Sequence, residues 1–259
     1  MTAPVFIITD GAVEPADAAR SAQPGDVVVL TGSEARHAVT VRRLQPGERV
    51  DLVDGAGLRL VGEVSAAQGK DRLAVRVLER VQEPEPAHAL VLVQALAKGG
   101  RDEQAVETAT EVGVGVVVPW QAGRSIAQWK GPKTAKGRER WQATATEAAK
   151  QARRAYVPTV SEVMTTAQLA AWVRETTQAG GTVLVLHEEA TAPVGGVRLP
   201  DGGAIAVVVG PEGGISAEET AALEAAGATT VRLGPHVLRT ASAGPVALSV
   251  LAQRAGLWG

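Results

Sequence analysis

The 259-residue chain has no cysteine. That excludes disulfides, cysteine-ligated zinc and iron–sulfur clusters, and it fits a reducing compartment. Aromatic residues are scarce, at 3% of the chain, so Ala, Val and Leu must fill the core, and the 45% hydrophobic content is enough to do so. No uninterrupted apolar run reaches the ~20 residues of a membrane-spanning helix. The N-terminal Met1-Thr-Ala-Pro shows no basic segment followed by an apolar one, as a signal peptide would. A cytoplasmic protein with no membrane partner is expected. His88, His187 and His236 are scattered and form no H-x-x-x-H pair, so no metal site is expected either.

Neither charge sign dominates. The net charge is −2, which by itself argues against a nucleic-acid partner. The distribution is uneven, however. Within residues 124–154, nine Lys or Arg stand against Glu139 and Glu147, a net of +7. Within residues 160–225, nine Asp or Glu stand against Arg174 and Arg198, a net of −7. A local basic stretch can bind a phosphate backbone inside a neutral chain, and it can equally be a solvated helix face.

What is present reads as two regions. Residues 1–80 carry strand-like runs at 27–30, 50–53, 58–64 and 73–81, separated by Pro-Gly, Asp-Gly and Gly-Lys turn signals. This pattern predicts a small β barrel. Residues 81–88 read as a linker, because the two prolines of Val81-Gln-Glu-Pro-Glu-Pro86 cannot continue a buried strand. Residues 89–259 alternate strands (90–96, 114–118, 182–186, 204–209, 229–233) with helices (101–112, 137–154, 166–178, 217–226, 241–255). That alternation predicts an α/β domain with a mostly parallel sheet. Pro119 is expected to stop its strand.

In such a sheet a ligand binds at the carboxyl ends of the strands. Two strands there run into glycine-bearing loops: Gly210-Pro-Glu-Gly-Gly214 and Gly234-Pro-His-Val-Leu-Arg-Thr240. Their glycines let backbone approach a ligand closely. Neither loop is a P-loop or a G-x-G-x-x-G fingerprint. Ser216 and Glu219 form an S-x-x-E capping box that predicts a helix start. Glu212 is either an acid/base group or an exposed loop carboxylate. Glu147, Gln151 and Arg154 share one helix face, where Arg154 can bind phosphate or simply line a pairing face. His37, Arg42 and Arg43 are candidate nucleic-acid contacts or plain surface residues.

These segments, in order, resemble the ribosomal RNA small subunit methyltransferase E family of SPOUT methyltransferases. The resemblance is carried by His37-Ala-Val-Thr-Val-Arg-Arg-Leu-Gln-Pro-Gly47, Gln94-Ala-Leu-Ala-Lys98, Thr110-Glu-Val-Gly113 with Val118-Pro119, and Arg124-Ser125. It continues through Glu147-Ala-Ala-Lys-Gln151 to Arg154 and Pro158, Gly210-Pro-Glu-Gly-Gly214, and Leu233-Gly234 with Val237-Leu-Arg-Thr240. It implies a PUA-like RNA-binding β barrel followed by a knotted α/β domain that homodimerises. The implied reaction transfers a methyl group from S-adenosylmethionine to uridine N3 in the 16S rRNA of the small ribosomal subunit. The resemblance places the cofactor against Leu186, His187, Gly210, Pro211, Glu212, Gly213, Gly214, Leu233, Gly234, Val237, Leu238, Arg239 and Thr240. It places RNA against His37, Arg42, Arg43, Lys98, Arg124, Arg138, Lys150, Arg153 and Arg154. Arg154 and Arg124 are then the expected catalytic cations, with Glu212 as a candidate base. Two departures stand out: Ala241 replaces a usual carboxylate, and Arg153 fills a position that is often small. Two alternatives stay open at this point, a ribose 2′-O-methyltransferase and a non-catalytic RNA-binding assembly factor; Ala241 favours the second.

Overall fold

The computed structural model describes residues 2–9, 11–15 and 17–258. It divides into two compact units: Met1–Glu85 with Ala149–Val157, and Pro86–Ala148 with Pro158–Gly259. Met1, where the N-terminal reading begins, lies outside the described residues.

The first unit contains β1 (Val5–Ile7), β2 (Val13–Glu14), α1 (Ala18–Ser21), β3 (Val27–Thr31) and α2 (Gly32–Arg36). A π turn (His37–Val41), β4 (Arg49–Val53), β5 (Leu58–Gln68) and β6 (Arg72–Gln82) follow. Its six strands form one sheet in the order β1-β4-β5-β6-β3-β2, antiparallel except for β1 with β4. Alternation turns Leu58, Leu60 and Val64 of β5 and Leu73, Val75 and Val77 of β6 into the core, beside Phe6, Leu30 and Leu52. Irregularities at Val61/Gly62 and Val64/Ala66 break the β5–β6 register. At Gly62 a Cβ would clash with Val75 Cγ1, so the strands approach there only because the side chain is missing.

The second unit contains β7 (His88–Ala95), α3 (Arg101–Glu111), β8 (Val116–Gln121) and most of α4 (Pro132–Gln151). Next come β9 (Thr159–Val160), β10 (Met164–Thr165), α5 (Thr166–Gln178), β11 (Thr182–Leu186) and β12 (Gly203–Val209). The unit closes with α6 (Ala217–Ala225), β13 (Thr229–Val231) and α7 (Thr240–Arg254). Every pairing in its seven-stranded sheet is parallel, in the order β10-β8-β7-β12-β11-β13, with β9 on β8. Helices cover both faces, so the central strands are apolar on both sides; β12 buries Ile205, Ala206, Val207 and Val208 consecutively. Among the described residues, no helix is long and apolar enough to cross a membrane.

Several boundaries differ from the sequence expectation. β8 runs through Pro119 to Gln121. On that side β8 pairs with β9 at Val116 and Val117 and with β10 at Trp120 and Gln121, so Pro119 falls between the two ladders, where a missing N–H costs nothing. α4 starts at Pro132, five residues before Gly137, with proline in the first turn. Gly137 is instead a packing glycine, since a Cβ there would clash with the Trp129 ring. β13 ends at Val231 because Arg232 pairs with the segment around Pro193. The last turn of α4 and residues through Val157 belong to the first unit, where Ala155 and Val157 pack with Val5, Ile7 and Val53.

Candidate active site

A cavity of about 1040 Å³ opens at the carboxyl ends of β11, β12 and β13. Its walls include Leu186 and His187 after β11, residues 209–215 after β12, and residues 232–240 after β13. All thirteen residues expected against a cofactor line it: Leu186, His187, Gly210, Pro211, Glu212, Gly213, Gly214, Leu233, Gly234, Val237, Leu238, Arg239 and Thr240. The sheet order brings them together by placing β12 beside β11 and β13 on its other side.

The first loop is shaped by close contacts. A Cβ on Gly210 would meet Ile215 at 2.6 Å and one on Gly213 would meet Arg124 at 3.2 Å, while Gly214 has φ +74°. Gly234 is different, because a Cβ there meets nothing within 4 Å and would project into open space. Beneath the loop, Thr240 Oγ1 donates to Gly210 O at 2.8 Å and accepts from Gln94 Nε2 at 2.8 Å, tying β7, β12 and α7 together. Ser216 and Glu219 make the anticipated capping box at the start of α6. Glu219 also accepts from the backbone N–H of Gly123 and from the Thr166 hydroxyl, both at 2.8 Å, so one buried carboxylate joins three segments. Thr220 lines the cavity with a buried hydroxyl that has no hydrogen-bond partner among the described residues.

Charged groups of both signs surround this backbone-rich wall. Arg124 donates to Gly213 O at 3.1 Å. Glu212 accepts from Arg101 Nη1 at 2.9 Å and from the Lys98 backbone N–H at 3.3 Å. Burial pushes the Glu212 carboxyl up, but hydrogen bonds from the backbone and Arg101 outweigh it and hold the group below the usual carboxylate range. Asp102, at the start of α3, accepts from the N–H groups of Ala97 and Glu103; its burial raises its pKa against those bonds. Arg101, Glu188, Glu189, Thr220 and Arg232 line the cavity but were not anticipated from sequence. No local pattern marks Arg101, whose partner Glu212 is 111 residues away.

The basic residues divide between the units. Lys98, Arg124 and Arg138 lie in the second, and His37, Arg42, Arg43, Lys150, Arg153 and Arg154 in the first. His37 begins the π turn and sits edge-on to Phe6 at 5.9 Å; Arg42 and Arg43 follow it, exposed. Arg138 donates to Val160 O at 3.0 Å and pairs with Glu162. Lys150 does not present its charge as expected for an RNA contact. Its side chain is 7% exposed and its ammonium is paired with Glu34 at 2.8 Å, because this turn of α4 is buried in the first unit. Arg154 is half-buried; burial lowers its pKa against the opposing field of Glu83, and it is not among the cavity's lining residues. Among the described residues, no group of three or more acidic or His side chains is placed to hold a metal ion.

Comparison with known proteins agrees with this architecture. Residues 83–252 match the RNA methyltransferase domain family and residues 30–78 the RNA methyltransferase PUA domain family. The chain is 46% identical over 234 residues to the ribosomal RNA small subunit methyltransferase E of Mycobacterium bovis, covering 90% of this chain and 89% of that one. It is 31% identical to the Bacillus subtilis protein of the same name, covering 88% and 90%. The solved structure of the Neisseria gonorrhoeae ribosomal RNA small subunit methyltransferase E bound to S-adenosyl methionine superposes with a TM-score of 0.82 at 25% identity, covering 98% of both chains. The chain belongs to the ribosomal RNA small subunit methyltransferase E family.

Proposed function

We propose that this protein transfers a methyl group from S-adenosylmethionine to N3 of a uridine in small-subunit ribosomal RNA. The observation that carries the reading is the glycine-walled cavity at the ends of β11, β12 and β13, in a chain of this family. The residues present fit the cofactor. The wall is backbone and aliphatic side chain, Gly234 leaves room that a Cβ would fill, Thr220 offers an unpartnered hydroxyl, and Arg124, Glu188 and Glu189 supply both signs for a zwitterionic ligand. Leu186, Leu233, Val237 and Leu238 would hold its apolar parts, with residues 210–214 against its polar ones.

When bound, S-adenosylmethionine supplies an electrophilic methyl group on a sulfonium. The chain's own residues then have three tasks: to align uridine N3, to stabilise the uracil as it loses its imide proton, and to keep the cofactor loop in place. Arg124 is assigned to the developing negative charge on uracil, since its guanidinium already lies at the cavity wall. Glu212 is assigned to holding the loop, because its carboxylate is ionised and already bonded to Arg101 and Lys98. Arg154, with His37 and Arg42, is assigned to RNA in the first unit, read as a PUA-like RNA-binding region followed by the catalytic domain. A trefoil knot in the second unit, homodimerisation through it and a cytoplasmic location complete the proposal. The insertion of β12 between β7 and β11, with α7 returning from the sheet edge onto β7 and β12, supports the knot.

The test is methyl transfer from labelled S-adenosylmethionine to small ribosomal subunits lacking the modification, followed by mass spectrometry of the digested nucleosides. 3-Methyluridine is the expected product. A 2′-O-methylated nucleoside would overturn the N3 assignment. Cofactor binding without transfer would overturn the enzymatic reading in favour of an RNA-binding factor, which the buried Ala241 at the start of α7 would then explain.

A further inference from the structure

Among the described residues, sixteen glycines and only two other residues, Arg43 (φ +55°) and Arg153 (φ +57°), have left-handed backbone. A left-handed conformation crowds the Cβ of any L-residue, so such positions usually go to glycine or asparagine. Both exceptions here are exposed arginines of the first unit, and neither guanidinium has a carboxylate within ion-pairing distance among the described residues. Arg59, Arg72, Arg101, Arg138 and Arg140 are paired with acids, while exposed Arg36 and Arg42 share the lack of a carboxylate partner among the described residues without the left-handed backbone.

Arg153 shows most clearly what is being held. It ends α4 in a Schellman motif: its N–H donates to Lys150 O at 3.1 Å and the Arg154 N–H donates to Ala149 O at 2.9 Å. That geometry calls for glycine at 153. The turn itself is held by Arg59, which donates to the Arg153 carbonyl at 2.8 Å while pairing with Asp51 at 2.9 Å and Glu83 at 2.7 Å. Arg43 follows the π turn, and its carbonyl accepts from Gln45 Nε2 at 2.9 Å. Strain retained at an exposed, chemically capable side chain points to use of that side chain. For an unpaired guanidinium, the matching group is a phosphate oxygen.

We infer that Arg43 and Arg153 are phosphate contacts for the RNA substrate, each kept in a left-handed backbone at the expense of stability. The inference rests on the RNA methyltransferase reading above. It separates these two residues from the other cations by a signature that a merely structural arginine does not have: glycine at either position strengthens the fold and weakens RNA binding.

The full-length chain is compared with Arg43→Gly, Arg153→Gly and the double variant, with Arg→Lys at each position as the charge-retaining control. Three quantities are measured: the thermal unfolding midpoint, affinity for S-adenosylmethionine, and affinity for unmodified small ribosomal subunits across a KCl series. Each glycine variant is expected to unfold roughly 2–4 °C higher and to bind the cofactor as the parent does. Each should also lose about 0.7–0.9 from the slope of log affinity against log salt, with roughly 3–10-fold weaker binding near physiological salt. The lysine variants should keep the slope. Glycine variants with the parent's slope and affinity, or with a lower unfolding midpoint, overturn the inference. Failure of the parent chain itself to bind or methylate small subunits would instead overturn the RNA methyltransferase reading.

Discussion

At the scale of single residues, a partner decides what a charged group can do. Glu212 projects from a glycine loop, and on sequence alone it serves equally as a base or a surface carboxylate. The structure ties it to Arg101 and to the Lys98 N–H, and a carboxylate held in that way is a poor proton acceptor. Glu212→Gln is therefore expected to keep kcat while raising KM for S-adenosylmethionine by roughly 1.5–5-fold, the size of an exposed ion pair of about 0.2–1 kcal/mol. Steady-state kinetics with each substrate varied would check this; a fall in kcat of about 10²-fold or more at unchanged KM would restore the base. The pH dependence follows from the same geometry. The Glu212 pKa lies below its ordinary 4.5 in the folded chain, so its stabilising contribution is complete above that value and is lost as pH falls through the folded one. The difference in unfolding midpoint between parent and Glu212→Gln should therefore be largest at neutral pH and shrink as the pH is taken down below the ordinary 4.5. Lys150 makes the same point in reverse. Its sequence neighbourhood is basic, yet its ammonium is paired with Glu34 and its side chain is buried.

At the scale of elements, most helices and strands were legible because period and punctuation agree. The Ser216/Glu219 capping box starts α6 where the sequence places it, and the apolar run of β12 is buried on both faces as a parallel strand requires. The errors came at glycine and proline, whose meaning depends on the neighbour. Pro119 lies harmlessly between two ladders, and Gly137 makes room for Trp129 instead of starting a helix. Gly244, inside α7, is of the same kind: a Cβ there would lie 2.6 Å from Leu92 Cδ1 and 3.2 Å from Val209 Cγ2. Leu92 is fully buried and cannot move aside. Gly244→Ala should thus destabilise the chain by about 1–3 kcal/mol through overpacking, although alanine favours helix by about 1 kcal/mol over glycine at an exposed site. Denaturant unfolding would check this; a stabilised variant would show that α7 can shift off the sheet.

At the scale of the whole molecule, the first unit is not contiguous. It recruits Ala149–Val157, and with them the Lys150–Glu34 pair, the Tyr156 hydroxyl donating to Glu83 O at 2.8 Å, and the packing of Ala155 on Val5, Ile7 and Val53. A fragment ending at Glu85 loses the Lys150–Glu34 pair and the cover that Ala155 and Val157 give Val5, Ile7 and Val53, from a domain whose net stability is ordinarily only about 5–15 kcal/mol. Such a fragment is expected to show no cooperative unfolding transition by circular dichroism; a sharp transition would mean that the sheet is self-sufficient. The contiguous division at residues 81–88 could not foresee this, because nothing in residues 149–157 taken alone distinguishes a helix end in one unit from a helix end in another. Composition, strand–helix alternation, the two glycine loops and the ordered motifs were local properties of the chain, and the sequence by itself determined a mixed α/β fold, the family and thirteen of the positions that line the cavity. The partners that set each residue's task were decided only by the tertiary structure: Arg101 for Glu212, Glu34 for Lys150, Gln94 for Thr240 and Arg59 for the Arg153 carbonyl. Each lies 90 or more residues away along the chain, and burial and hydrogen bonding act across space, where sequence spacing carries no record of them.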